Sequence, residues 1–213
     1  MTTKAQLKAR ILRLIGDPDG ATTTDELLGD AIEAAHTAIL PWVFKQSTST
    51  FTCDGATSVF ELPADMYKIV AVFDSDSGYY IPASSMAALQ APGQNIQTNQ
   101  DWLEYPEGSL ALANAPAVDA SLVVYYAAAW IVPESDNDDL ETPGWCATAL
   151  ALYGASYALL QKSTQAADIR QWNVRVDSGT PVMNPVKDMS TYFMDRFFME
   201  VKTLPSRTRG ARG

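Results

Sequence analysis

The sequence predicts an α+β protein: a helical bundle body with an inserted small antiparallel β domain and a flexible basic C-terminal tail. Three observations predict it. Residues 54–74 read as a compact β unit, with a tight turn at Asp54-Gly55 and a strand stop at Leu62-Pro63-Ala64-Asp65. Helical periodicity dominates on both sides of the β region. After Glu200 every charged side chain is positive: Lys202, Arg207, Arg209 and Arg212. The expected division is a helix pair over 1–46, a β-rich module over 47–132, and C-terminal helices over 133–204 that pack with 1–46 as one body. Residues 205–213 form the basic tail.

The first helix is expected from about Thr3 to Ile15, because Leu7, Ile11, Leu14 and Ile15 share one face. Gly16-Asp17-Pro18-Asp19-Gly20 stops it. Thr23-x-x-Glu26 reads as a capping box that opens the second helix. Leu28, Ile32, Ala35 and Ile39 form its buried face, and Pro41 ends or bends it. Strands follow at Thr48–Cys53, Ser58–Leu62 and Lys68–Phe73. The first two read as a hairpin across Asp54-Gly55, since Gly takes positive φ at no steric cost. Tyr79–Pro82 is a short fourth strand. Ser84 or Ser85 caps a short helix through Leu89, and residues 91–100 read as a loop.

Trp102–Tyr105 and Ser109–Leu112 make a second hairpin across Pro106-Glu107-Gly108. Residues 120–127, rich in branched and aromatic side chains, are the strongest strand. The acidic stretch from Pro133 to Glu141 reads as a solvated linker. Thr142 at N-cap and Pro143 at N1 open a long helix to about Lys162, whose small residues allow close packing. Thr164 caps a further helix, Gln165 to Val176. Gly179–Pro185 interrupts. Asn184-Pro185 caps the last helix, to about Thr203, in which Met189, Phe193, Phe197 and Val201 recur every four residues.

The 213 residues, 47% hydrophobic, suffice for a sizeable core. A net charge of −10 argues against gripping nucleic acid through its phosphates. Cys53 and Cys146 have no metal or CxxC spacing and read as buried thiols, in keeping with a reducing compartment. No targeting segment or membrane span is expected.

No chemical motif in the sequence is complete. Asp17-x-Asp19-Gly20 lacks the glycine and glutamate spacing of a calcium loop and reads as a turn with an Asx bond. Gly154-Ala155-Ser156 resembles half of a nucleophile elbow, but it sits within a helix and has no base. His36, the single histidine, reads as structural. No catalytic, metal or cofactor residue is expected, so an enzyme is not. A second reading is a binding module, with Tyr79, Tyr80, Trp102 and Tyr105 forming a glycan or peptide patch.

The order of elements resembles the head-to-tail adaptor (connector, head-completion) proteins of tailed bacteriophages. The capped helix ending at Trp42, Phe60-Glu61-Leu62-Pro63-Ala64-Asp65 leading into Ile69-Val70-Ala71-Val72, Leu122-Val123-Val124-Tyr125-Tyr126, Pro143-Gly144-Trp145 and the final helix carry the resemblance. It implies a structural virion protein at the head–tail interface, assembled in the host cytoplasm. It further implies a homo-oligomeric ring of about twelve copies. That ring would dock on the portal protein, meet a tail or neck protein, and pass genomic DNA only as cargo. Lys202, Arg207, Arg209 and Arg212 would be the portal contacts. A tail terminator is the nearest rival within that class.

Overall fold

The computed structural model describes residues 2–81, 83, 102–105, 108–174 and 185–204. The chain divides into two compact units, one drawn from Met1–Val43 and Trp130–Gly213, the other Phe44–Ala129.

The first unit holds α1 (Lys4–Leu14), α2 (Asp25–Ile39), α3 (Ala147–Val174) and α4 (Pro185–Thr203), with a 3-10 turn at Gly144–Cys146 before α3. α3 packs against each of the other three helices. Leu7, Ile11, Ile32, Ile39, Leu150 and Phe197 are fully buried between them. The helices approach closely at Gly154, where an added Cβ would lie 2.6 Å from Ile11 Cδ1 and 3.5 Å from the Ala31 carbonyl. α1 begins with a full capping box: Thr3 accepts from Gln6 N–H, and Gln6 accepts from Thr3 N–H.

The acidic stretch before α3 is not simply solvated. Its backbone carbonyls at Asp138 and Asp136 accept the N–H groups of Lys4 and Ala5 at 3.1 and 2.9 Å, and Leu140 N–H returns a bond to Thr2. Helix N-terminal donors left over from the i→i−4 ladder are thus satisfied from a distant segment.

Among the described residues the second unit holds seven strands: β1 (Lys45–Asp54), β2 (Val59–Glu61), β3 (Met66–Asp74), β4 (Tyr79–Ile81), β5 (Trp102–Tyr105), β6 (Ser109–Leu112) and β7 (Val118–Ala128). They form two antiparallel sheets, ordered β1-β7-β3-β4 and β2-β6-β5. Phe60 and Leu110 from the smaller sheet share one core with Ile69, Val72, Leu122 and Val124 from the larger. β3 meets β7 through two register shifts, which leave Tyr67 and Val70 unpaired and exposed.

Several expectations are corrected. The body is not a helical bundle carrying a small β insertion. Among the described residues four helices accompany a large antiparallel sheet system, 40% helix against 28% strand, and the protein is α+β overall. The strands were undersized from sequence because β1 begins Lys45-Gln46-Ser47-Thr48, a polar run with no apolar alternation to show it, yet all ten residues from Lys45 are strand.

The Asp54-Gly55 hairpin does not form. The turn is real, with Gly55 at φ 79° and Asp54 accepting from Ala56 and Thr57 N–H. Its two arms enter different sheets, because the eleven-residue β7 pairs along β1 while β6 takes β2. The second hairpin, β5–β6, pairs as expected.

α3 runs unbroken past Thr164, so no separate helix begins there. Pro143, not Thr142, holds the N-cap position of the 3-10 turn, with no side-chain cap. The short helix expected from Ser84 and the break at 179–184 lie outside the described residues.

Candidate docking surfaces

Side chains with possible chemistry turn out to be structural ties. Ser156 lies mid-α3, buried, and donates to the Ser190 carbonyl at 2.8 Å, while Ser190 Oγ donates back to the Ser156 carbonyl at 2.9 Å. The pair staples α3 to α4 and offers no base. His36 is 3% exposed on α2. Its Nδ1–H donates to the Ile32 carbonyl at 2.8 Å, and its Nε2 has no hydrogen-bond partner among the described residues. Burial pushes the imidazole below its ordinary value, against the pull of the Ile32 bond.

Asp17 closes the turn after α1. Its carboxylate accepts from the Thr23 and Thr22 hydroxyls and from the Thr22 and Ala21 N–H groups. The Thr23 and Thr22 hydroxyl bonds, more than the amides, hold it far below the usual carboxylate range. Lys162 donates to both hydroxyls from α3 and sits 3.5 Å from Asp17. Thr23 is therefore occupied, and Thr24 caps α2 instead, accepting from Leu27 N–H. This corrects the expected Thr23–Glu26 box.

A second tie joins α1, α2 and the acidic stretch. Lys8 Nζ contacts Asp25 at 2.6 Å and Asp136 at 2.8 Å. Burial works against its charge, yet the hydrogen bonds to Asp136 and Asp25 prevail and raise its pKa. Among the described residues, no three His, Cys, Asp or Glu side chains gather as a metal set. None of the described helices is long and apolar enough to cross a membrane.

The exposed surfaces offer contacts instead of chemistry. On α4, Ser190, Phe193, Phe197 and Val201 face the core, and Met189, Tyr192 and Met199 form an exposed stripe on another side. Of the four residues that recur along this helix, Met189 is 44% exposed, and Ser190 occupies the inward position beside Phe193. The i, i+3, i+10 spacing of the outer stripe was readable in the sequence. Lys202 follows on the last turn of α4 and is exposed. Arg207, Arg209 and Arg212 lie outside the described residues.

On the larger sheet, Tyr80, Phe73 and Tyr125 gather on its outer face, with centroids 5.1 Å apart for Phe73–Tyr80 and 6.4 Å for Tyr80–Tyr125. Thr48 and Thr50 sit opposite Tyr125 and Val123 on the neighbouring strand. The four-ring patch expected from sequence is not what forms. Tyr79 and Tyr80 are exposed, but Trp102 packs on the core and donates from Nε1 to the Ile81 carbonyl at 3.0 Å. Tyr105 lies on β5.

A family model described as SU10 adaptor protein matches residues 2–184. No curated protein matches the chain. The family match therefore spans both units up to the start of α4, and α4 with the basic end lies beyond it.

Proposed function

This chain belongs to the SU10 adaptor protein family, a phage adaptor family, and from that premise we propose that it forms the head-to-tail adaptor ring of a tailed phage virion. In this reading about twelve copies seat on the portal protein, join the filled capsid to a tail or neck protein, and enclose part of the DNA path. The family match over residues 2–184 is the observation that carries it.

Charge supports the conduit role. A ring of such chains would hold roughly −120 formal charge, which repels phosphate and lets DNA pass without adhering. The cationic end is the exception. Lys202 on α4, with Arg207, Arg209 and Arg212 after it, is the proposed portal contact. Its positive charge would find the portal by steering, and an arm ordered on contact would link binding to assembly.

The test mixes the portal with the full chain and with a chain ending at Leu204. Sedimentation is expected to show a portal complex with the full chain and at least about tenfold weaker association without the arm. Equal association of both forms would remove the arm from the interface. A chain that stays monomeric and ignores the portal in both forms would overturn the adaptor ring.

A further inference from the structure

The β unit holds a cavity of about 460 Å³ that the proposed portal contact does not use. It opens between the β3–β4 turn and the segment leading into β7. Ile81, Leu112, Ala120 and Leu122 line its apolar part, and Asp74 and Asp76 stand on its rim. Asp74 is fixed by the turn, its Oδ1 accepting from Asp76 N–H at 3.0 Å and Ser77 N–H at 3.4 Å. The Asp76 side chain makes no hydrogen bond or ion pair among the described residues.

The local field is negative. The nearby Cys53 thiol is pushed up first by burial and then by the charges of Asp74, Asp54 and Asp76. An apolar floor beneath the anchored Asp74 carboxylate, with the Asp76 carboxylate beside it, suits a group with a methylene stem and a cationic head. Arginine answers both requirements, since its guanidinium binds carboxylates through paired N–H bonds and is weakly hydrated. An anionic ligand would face the same field as repulsion.

We propose that this cavity receives an arginine-bearing peptide arm of the neck protein that joins the adaptor on its tail side. The chemistry of the occupant comes from the cavity; its identity rests on the adaptor reading above. An adaptor must hold two different partners. Here the unit containing α4 presents cations at its end, and the other unit presents a carboxylate-rimmed cavity, so the two contacts cannot be exchanged.

The probe is a fluorescein-labelled decapeptide with three arginines spaced by leucine and proline, titrated into full-length protein and followed by anisotropy. A counterpart carries glutamate for arginine. The arginine peptide is expected to bind and the glutamate peptide is not. Asp76→Asn, a surface change that leaves the turn bonds of Asp74 in place, is expected to weaken binding about tenfold. A chain ending at Leu204 is expected to bind equally well. Binding that ignores Asp76→Asn, or that favours neither peptide, overturns the site. Tighter binding after removal of 205–213 shows that the chain's own arm competes for the cavity and overturns the assignment to another protein. No portal enters this assay, so its failure and a failure of ring assembly remain separate results.

Discussion

At the scale of single residues, the firmest expectations concern groups held where water cannot reach them. His36 is the clearest. Its folded pKa lies below the ordinary imidazole value of 6.5 because burial disfavours the cation. Above that value both folded and unfolded states carry a neutral ring, and the full stability is present. As pH falls through 6.5 the unfolded chain takes up a proton that the folded chain refuses, so stability is lost on the acid side. The melting temperature should therefore fall between pH 7.5 and 5.5, and the fall should shrink in His36→Gln. An unchanged slope in that variant would contradict the assignment.

The carboxylates occupy a separate window. Asp54 is held at about 2, first by the Thr57 amide and then by its hydroxyl, below the ordinary 3.8. Its contribution, like that of Asp17, is present above 3.8 and fades only as pH falls towards the folded value.

Gly154 gives a steric test at the same scale. Alanine there gains about 1 kcal/mol of helix propensity. It also drives a Cβ into Ile11, which is fully buried and has little room to move. The clash should prevail, with a net loss of about 1–2 kcal/mol in Gly154→Ala. Combining it with Ile11→Val should recover more than additivity allows, which a double-mutant cycle in urea would show. Ser190→Ala keeps the Ser156 bond to the backbone carbonyl of residue 190 but removes the Ser190 Oγ that donates to the buried Ser156 carbonyl, and should cost about 1–3 kcal/mol.

At the scale of elements, the two faces of β7 should separate cleanly. Leu122 and Val124 point into the core, and Val123 and Tyr125 point outward. Leu122→Ala should cost about 2–4 kcal/mol. Val123→Ala should cost less than about 1 kcal/mol, as expected for a half-covered position. Comparable losses at both sites in denaturant unfolding would contradict the register.

Most elements were legible because each carries a local signal: the apolar stripe of α1 and α2, and the branched and aromatic run of β7. The pairing of strands was less so. Asp54-Gly55 announces a turn, but which strand lies beside β1 depends on β7, more than sixty residues away. The helix cap failed for a similar reason. Thr22, Thr23 and Thr24 are equivalent in sequence, and only the arrival of Asp17 and Lys162 decides that Thr24 is the cap. The polar first half of β1 hid a strand, and with it the size of the β unit. Of the candidate contacts, the basic end was plain as a run of like charge. The Tyr80–Phe73–Tyr125 cluster was not, since it depends on cross-strand register.

At the scale of the whole molecule, the two units give the chain two different surfaces for assembly. One carries the exposed α4 stripe and Lys202 at its end; the other carries the aromatic sheet face and the acidic-rimmed cavity. Contacts made by charges at a solvated surface are screened within about 8 Å at physiological salt. Portal association through the basic end should therefore weaken steeply between 0.05 and 0.5 M salt (about a tenfold range). A salt-independent association would point to the apolar stripe of α4 as the dominant contact.

The most direct test of the central claim is imaging of portal particles after incubation with the full-length chain, with the number of bound copies read from the symmetry of the complex. The account predicts a closed ring of about twelve chains on one face of the portal, sharing its axis. Portal particles that remain bare, or that carry scattered single chains without a ring, would contradict it.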